Sequence, residues 1–288
     1  RTRTWIHRGS SDSGKLELME TSPSTKDRLA LVTGSARGIG RAAAVRLARD
    51  GFDIVVHFRR DEAGAQETGR LVENEGRRAV IVRADLESPD ETAALAQIVQ
   101  RDPLPLGVLV LSAAATVFKA ADAIRPHHLE RTYRVVIGAL LQLVQALAPS
   151  MPPGSSIIPI SGTGATHVIP RYALLGSAKA AQEAWVRYLA VELAPRGIRV
   201  NGITPGIIAT DSTLFYMHGE EGPLMEEARR LSPVGRPGRP EDVAGVVSFL
   251  ASPDSEFLRG QVLVVDGGLT LGMPALYPDA ADAEPERP

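Results

Sequence analysis

Short apolar runs alternate with longer amphipathic segments through most of the chain. Runs that are apolar on both faces are typical of buried parallel strands, and the amphipathic segments between them are typical of covering helices. We predict strands in the run that begins at Leu29 and at 53–58, 79–85, 106–112, 156–161, 199–204 and 261–266. We predict helices at 41–49, 63–75, 90–101, 128–147, 172–194 and 240–251.

This alternation predicts an α/β fold, because parallel strands joined by right-handed helical crossovers form a doubly wound Rossmann sheet. No linker-like stretch interrupts the pattern, so we expect a single domain over 29–272 with a seven-stranded parallel sheet. Residues 1–28 are polar and aperiodic and are predicted to be a disordered leader or an expression remnant. Residues 273–288 are rich in Pro, Ala and acids and are predicted to be a flexible tail.

Composition narrows the class of partner. An apolar content of 44% and a charged content of 23% are ordinary for a globular protein. A formal net charge of −2 gives no electrostatic footprint for nucleic acid or an anionic membrane. The chain has no cysteine, which excludes disulfides and thiolate chemistry, and its six histidines are scattered without a metal-ligand pattern. We expect a cytoplasmic protein that binds neither membrane, metal nor nucleic acid.

The stretch Thr33-Gly-Ser-Ala-Arg-Gly-Ile-Gly40 connects the first predicted strand to the first predicted helix. Glycines in this position let the backbone approach a bound group, and the helix N-terminus behind them suits a pyrophosphate. A plain turn is the alternative, but the strand before it and the helix after it favour dinucleotide binding. The candidate cofactor-binding residues here are Gly34, Ser35, Arg37, Gly38, Ile39 and Gly40.

Other candidate contacts follow from the carboxyl ends of the next strands. Arg59 and Arg60 end the second strand, and with Arg37 they suit the 2′-phosphate of NADPH, although a solvated basic turn is the alternative. Asp85 and Leu86 end the third strand at the expected place for the adenine, although a capping role for Asp85 is the alternative. Small residues end the fourth strand and allow a cofactor to lie close to the backbone: Ser112, Ala113 and Ala114.

Several of these motifs together resemble the short-chain dehydrogenase/reductase family. The resemblance covers nearly all of 29–272 and is carried by Thr33–Gly40, Asp85, Tyr172…Lys179, Asn201…Pro205-Gly206 and Gly260…Val-Asp-Gly-Gly268. It implies a nicotinamide cofactor and a homotetramer packed through 128–147 and 172–194. It also implies that Pro205, Gly206, Ile208 and Thr210 contact the cofactor, and that 214–225 is an apolar substrate lid.

The chain departs from ordinary members of that family at the positions that reduce ketones. Those members have a Tyr four residues before the Lys, a preceding Ser and an Asn on the fourth helix. Here Leu175, Gly162 and Val136 stand at these positions, and the Asn motif after the fourth strand is reduced to Leu111-Ser-Ala-Ala114. An ordinary alcohol dehydrogenase or ketoreductase is therefore disfavoured.

Tyr172 stands seven positions before Lys179, so the two share one helix face. This spacing resembles the enoyl-thioester reductase branch, notably the actinomycete 1-cyclohexenylcarbonyl-CoA reductases and the third type of bacterial enoyl-acyl-carrier-protein reductase. Relatives in that branch often carry a second aromatic residue just after Ser161, where this chain has Gly162-Thr163-Gly164. The predicted catalytic residues are Tyr172, Lys179 and Ser161, all three of which are also predicted to contact the cofactor. The predicted substrate contacts are Thr116, Phe118, Thr163, Phe215 and Tyr216.

Three functions remain open on these observations. The first is NADPH-dependent reduction of the C=C bond of a 2-enoyl thioester carried by CoA or acyl-carrier protein, with a cyclic acyl group such as 1-cyclohexenylcarbonyl as one form. The second is NADPH-dependent reduction of a carbonyl group. The third is a non-catalytic NADP(H) sensor, which the replacements Gly162, Val136 and Ser112 favour and the pair Tyr172 and Lys179 opposes.

Overall fold

The computed structural model describes residues 28–211, 213 and 221–271, together with the backbone of 3–4 and 19–20, which pair as two short antiparallel strands. The strands β1 to β8 of the main fold are Leu29–Thr33, Asp53–Phe58, Ala79–Arg83, Leu106–Leu111, Ser156–Pro159, Arg199–Val200, Gly202–Pro205 and Val262–Val265. The helices α1 to α8 are Gly38–Arg49, Glu62–Asn74, Pro89–Arg101, Pro126–Tyr133, Ala139–Leu147, Ala173–Leu193, Glu221–Leu231 and Pro240–Ala251.

The strands form a parallel sheet in the order β3-β2-β1-β4-β5-β6, which confirms the α/β Rossmann architecture. The prediction of seven strands in one sheet is not confirmed, because the predicted strand 199–204 is divided at Asn201. The Asn201 side chain donates to Leu258 O and accepts from the Gln261 N–H, both at 3.0 Å. β7 then pairs with β8 as a two-stranded parallel sheet, and a single bridge between Ile160 and Ile203 lies between the two sheets.

Both faces of the six-stranded sheet are covered by helices. Side chains alternate along β1, so Leu29 and Leu31 pack into one apolar cluster with residues of α3 and α5. Ala30 and Val32 pack into the other cluster with residues of α1, α2 and α8. This two-sided burial explains why the strands are mostly apolar on both faces, and it leaves the strand ends as the accessible edges of the sheet.

The longest apolar helical stretch lies in one of these covering layers. Pro126–Ser150 is long and apolar enough to cross a membrane by length and composition, with 25 residues and a mean hydropathy of 1.2. Half of its most apolar window is buried inside the fold, where α5 packs on α3 and α4 packs on α6. A π-helical turn at Arg134–Gly138 joins α4 to α5 within this stretch.

Candidate active site

The glycine-rich loop after β1 is shaped by close backbone contacts. Gly34 and Gly38 have φ of +68° and +56°, a conformation that favours glycine. A Cβ on Gly40 would lie 2.3 Å from Gly34 O, and one on Gly34 would lie 3.0 Å from the Ala113 Cα. α1 begins directly after this loop, without a side-chain cap and without an acid in its first turn. The loop therefore presents a helix N-terminus that suits a bound phosphate.

A buried histidine holds this loop and was not found by sequence reasoning. The Gly34 N–H donates to His57 Nδ1 at 3.0 Å, so Nε2 carries the ring proton and donates to Ala84 O at 3.1 Å. Burial lowers the pKa of His57 to about 4, which keeps the ring neutral. The signal in the sequence was a polar residue inside the apolar run of β2. A polar side chain that is buried in this way needs hydrogen-bond partners.

Ser35 lies inside the loop, and its side chain contacts backbone. The Ser35 hydroxyl donates to Val32 O at 2.9 Å and accepts from the His57 N–H at 3.1 Å. Arg41, another residue that sequence reasoning missed, donates from its guanidinium to Ala36 O and to the Thr68 hydroxyl, the latter at 3.0 Å. These contacts tie the loop to β2 and α2 and give it a fixed shape.

The basic residues predicted for a 2′-phosphate lie at this same edge. Arg59 is half-buried and lies 3.7 Å from the Asp85 carboxylate and 4.0 Å from that of Glu87. Arg37 and Arg60 are exposed, and Arg37 pairs with Asp211 at 3.6 Å. The side chain of Leu86 is buried and Ile39 is half-buried.

The end of β4 is attached to the end of β1. Thr33 Oγ1 accepts from the backbone N–H groups of Ser112 and Ala113, at 3.0 and 3.1 Å. Ala114 beyond them is exposed, and Thr116 is half-buried with its hydroxyl donating to Val117 O at 3.3 Å. The residues that follow Leu111 therefore lie at the carboxyl edge of the sheet.

Lys179 is buried in α6 and faces the end of β5. Its ammonium donates to Ile160 O and to Gln182 Oε1, the latter at 3.2 Å. Burial lowers the pKa of Lys179 to about 8, and the negative charge of Glu183 opposes that shift. The pKa of Lys179 therefore lies close to neutral pH, and a lysine with such a lowered pKa is typical of a functional site.

Glu183, one turn beyond Lys179, connects the ends of two strands and was missed at the sequence level. Its Oε1 accepts from the Ser161 hydroxyl at 2.6 Å and from the Thr204 hydroxyl at 2.8 Å. The Ser161 hydroxyl therefore donates to Glu183, and the carboxylate fixes β5 and β7 to α6. The signal available in the sequence was an acid four residues after the lysine on one helix.

Tyr172 directly precedes α6, and its ring lies over a glycine turn. A Cβ on Gly164 would lie 2.5 Å from Tyr172 Cδ1, and one on Gly162 would lie 3.7 Å from Tyr172 Oη. The Phe118 ring stacks on Tyr172 with centroids 5.6 Å apart and an interplanar angle of 23°. The residue before Tyr172 is Arg171, whose φ of +60° is unusual for a residue other than glycine.

Two of the departures from the family pattern, Val136 and Leu175, are connected in space. Val136, Leu175 and Ala178 are 2%, 7% and 0% exposed and form one apolar cluster, against which Tyr172 and Tyr133 pack. Two polar positions of ordinary relatives are therefore replaced together by mutually packed apolar side chains.

The remaining predicted residues lie around the end of β7. The Thr163 hydroxyl donates to Pro205 O at 2.9 Å, which joins the glycine turn to β7. Gly206 lies where a Cβ would meet the Asp266 Cβ at 2.6 Å, and Ile208 is buried and bridges to Gly238. A Cβ on Gly38 would lie 3.4 Å from a methyl group of Thr210, so Thr210 covers the glycine loop. Phe215 and Tyr216 lie outside the described residues, as does part of the predicted lid.

Comparison with known proteins finds a family model described as enoyl-(acyl carrier protein) reductase over residues 34–270. A 1-cyclohexenylcarbonyl-CoA reductase of Streptomyces collinus is 38% identical over 261 residues, which cover 90% of this chain and 93% of that protein. This match confirms the resemblance inferred from the motifs.

Solved structures extend the comparison. A promiscuous reductase that catalyses keto-reduction at C1 in lugdunomycin biosynthesis is 36% identical, with a TM-score of 0.80 over 87% of this chain and 100% of that chain. An angucycline C-6 ketoreductase with bound NADP is 30% identical, with a TM-score of 0.80 over 86% of this chain and 98% of that chain. On the agreement of family model, sequence and fold, the chain belongs to the short-chain dehydrogenase/reductase family.

Proposed function

We propose that this chain is an NADPH-dependent reductase that saturates the C=C bond of a 2-enoyl thioester. The observation that carries the proposal is the placement of Tyr172 over Gly162 and Gly164, while the position four before Lys179 is an apolar residue in a packed cluster. The name of the Streptomyces collinus relative supports a C=C substrate.

The carboxyl edge of the sheet fits a dinucleotide. The cradle formed by Gly34 and Gly40 has no room for a Cβ, and the bare N-terminus of α1 behind it suits a pyrophosphate. Arg37 and Arg59 supply positive charge for a 2′-phosphate, and the NADP bound by the angucycline ketoreductase supports NADPH as the cofactor. NADPH, when bound, supplies the hydride for the reduction.

The protein side chains then have separate roles. In an enoyl thioester the hydride acceptor is Cβ, and negative charge develops on the carbonyl oxygen three bonds away. Tyr172 donates a hydrogen bond to that oxygen and stabilises the charge. Lys179 binds the nicotinamide ribose and makes the field at Tyr172 positive, while Ser161 and Glu183 hold the end of β5 beside them. Protonation at Cα completes the reduction.

Several further features belong to the same proposal. The catalytic domain spans 29–272, the protein is cytoplasmic, and it forms a homotetramer through the long helices. Thr116, Phe118, Thr163, Phe215 and Tyr216 are the proposed substrate contacts. Pro205, Gly206 and Ile208 hold the nicotinamide carboxamide.

Carbonyl reduction is the second candidate, because two solved relatives with TM-scores of 0.80 are described as keto-reducing enzymes. The two functions differ in what they require of Leu175. A ketoreductase of the ordinary kind needs a proton donor at that position, and Leu175 offers none.

A substitution of Tyr172 tests the proposal. In Tyr172→Phe we expect kcat with an enoyl thioester to fall about 100-fold or more, because an oxyanion donor is lost. The Kd for NADPH, measured by fluorescence titration, should change less than about twofold, since the donor acts on substrate. Tyr188→Phe is the matched control, because Tyr188 lies on the exposed face of α6. Equal loss of turnover and NADPH binding in Tyr172→Phe contradicts the assignment.

A further inference from the structure

Two exposed cations flank the stacked pair formed by Phe118 and Tyr172. Lys119 follows Phe118 and Arg171 precedes Tyr172, and both are exposed. Consecutive Cα atoms lie about 3.8 Å apart, and the two rings stack at 5.6 Å. The segments that carry these cations therefore meet beside Tyr172, on the outer side of the aromatic pair.

A third cation, Arg125, is exposed directly before α4. The Arg125 N–H donates to His128 Nδ1 at 3.1 Å, and the His127 and His128 rings lie 4.1 Å apart. The pKa of His128 is below its usual range, first because of desolvation and then because His127, Lys119 and Arg125 contribute positive charge. Arg125 follows Lys119 by six residues, across the short turn Ala121–Ala123. We call Lys119, Arg125 and Arg171 the cation rim.

The cations of the rim differ from nearby Arg131 in their ion pairing. Among the residues that the structure describes, no carboxylate lies within ion-pair distance of a rim cation, whereas nearby Arg131 pairs with Glu87 at 3.2 Å. The whole chain has a formal net charge of −2, so this positive charge is local and not a consequence of composition. Cations left unpaired around an active-site entrance attract an anionic ligand.

The backbone of Arg171 gives an independent indication. Its φ of +60° is unfavourable for a side chain with a Cβ, and such conformations persist where the surrounding structure enforces them. They concentrate at ligand-binding positions. Here the conformation fixes the direction in which the chain enters α6 and places a guanidinium-bearing residue directly beside Tyr172.

We propose that the cation rim binds the phosphate groups of coenzyme A, so that the substrate is an acyl-CoA. This inference rests on the proposed function, in which the thioester carbonyl lies at Tyr172. The pantetheine arm then leads outward past Phe118, and the diphosphate and 3′-phosphate at its far end are the anions that Lys and Arg side chains bind well.

The rim fits a small polyanion better than an acidic carrier protein. Asp122 and Glu130 are exposed on the same segment as Lys119 and Arg125, and they repel the carboxylates of an acidic protein surface. A protein interface buries about 800 Å² on each partner, and one that covered both Lys119 and Arg125 would also cover the exposed Asp122, which lies between them in the sequence. The phosphates of one CoA molecule can contact the cations without covering the acids.

The test compares two thioesters that share the acyl group and the pantetheine arm, one with the 3′-phosphoadenosine diphosphate portion of CoA and one without it. Crotonyl-CoA and crotonyl-pantetheine carry the same acyl group and the same thiol arm. In Lys119→Gln/Arg125→Gln we expect the KM for crotonyl-CoA to rise about tenfold, with kcat unchanged. The kcat/KM for crotonyl-pantetheine should change less than about twofold, and 0.5 M salt should raise the KM for crotonyl-CoA in the wild type. Arg196→Gln, an exposed change at the far end of α6, is the matched control.

Several results overturn the inference. An equal rise in KM for both thioesters means that the rim shapes the acyl pocket and does not bind phosphate. An unchanged KM for crotonyl-CoA, or reduction of crotonyl-carrier protein with no reduction of crotonyl-CoA, also contradicts it.

A binding measurement separates this inference from the proposed function. Calorimetric titration of CoA itself into the NADPH-loaded protein needs no turnover. We expect the Kd for CoA to rise about tenfold in Lys119→Gln/Arg125→Gln. If neither thioester is reduced but CoA binding shows this rise, the proposed reaction is wrong and the rim still binds CoA. If CoA does not bind the wild type, the rim assignment is wrong whatever the reaction.

Discussion

Removal of the Glu183 charge should shift the alkaline limit of activity. Glu183 lies one helical turn after Lys179, and its Oε1 accepts from the hydroxyls of Ser161 and Thr204. Lys179 has to be cationic to bind the ribose and maintain a positive field at Tyr172. Because its pKa is about 8, we expect kcat/KM for NADPH in the wild type to fall as the pH rises through about 8.

The size of the effect follows from the spacing. Residues four apart on a helix have Cβ atoms about 6 Å apart, and unit charges at that distance interact by about 3 kcal/mol at an effective dielectric constant near 20. Glu183 is half-buried, so solvent screening reduces the interaction between the two charges to about 1.4 kcal/mol. A free-energy difference of that size corresponds to a pKa shift of about one unit. Loss of the negative charge lowers the pKa of Lys179, so Glu183→Gln should lose activity about one pH unit earlier.

The assay is a pH profile of kcat/KM for NADPH from pH 6 to pH 9.5. Ser161→Ala is the comparison for a change in hydrogen bonding, because it removes one donor to Glu183 and keeps the carboxylate. Glu192→Gln is the comparison for a change in net charge, because Glu192 is exposed on the same helix. Neither should move the midpoint by more than about 0.3 pH units.

An unchanged midpoint in Glu183→Gln, or an equal shift in Glu192→Gln, refutes the reasoning. The first result means that Lys179 does not set the alkaline limit. The second means that net charge and not the local pair determines it.

Three further predictions follow from the described contacts. In His57→Gln a flexible amide replaces the rigid imidazole that accepts from the Gly34 N–H, so the loop is held less firmly and fluorescence titration should show about tenfold weaker NADPH binding. His57 is neutral in the fold with a pKa of about 4 and titrates near 6.5 when unfolded, so its stabilisation is complete above pH 6.5 and is lost as the pH falls through 4. Denaturant titrations should therefore show about 3 kcal/mol of acid destabilisation in the wild type that the variant lacks. In Gly164→Ala the added Cβ would lie 2.5 Å from Tyr172 Cδ1, so the displaced ring should lower kcat about tenfold or more in single-turnover assays. Arg59→Gln should reduce the preference for NADPH over NADH, taken as the ratio of kcat/KM values, about tenfold.

Each of these has a result that counts against it. Unchanged NADPH affinity in His57→Gln means that the loop keeps its shape without the ring. Full activity in Gly164→Ala means that the position of Tyr172 does not limit turnover. An unchanged cofactor preference in Arg59→Gln assigns the 2′-phosphate to other residues.

The fold and the edge that carries the site were predictable because they depend on local patterns. The apolar run from Leu29 and the glycines after it determine a strand, a turn and a helix from adjacent residues alone. The helix expected at 172–194 is observed at Ala173–Leu193 for the same reason.

The features that were missed depend on contacts between distant segments. The division of the predicted sixth strand at Asn201 arises from hydrogen bonds to Leu258 and Gln261, about 60 residues later. The partner of the Ser161 hydroxyl is Glu183 on another element, and the acceptor for the Gly34 N–H is a ring on β2. Such partners are determined by packing, which the order of residue types along the chain does not reveal.

The central claim is that the Tyr172 spacing directs reduction to C=C bonds, and a substrate comparison tests it most directly. NADPH oxidation is followed by absorbance with 1-cyclohexenylcarbonyl-CoA, crotonyl-CoA and acetoacetyl-CoA under identical conditions. The account predicts oxidation with at least one of the two enoyl thioesters and none above background with the ketone. Oxidation with acetoacetyl-CoA alone contradicts it and makes this chain a carbonyl reductase.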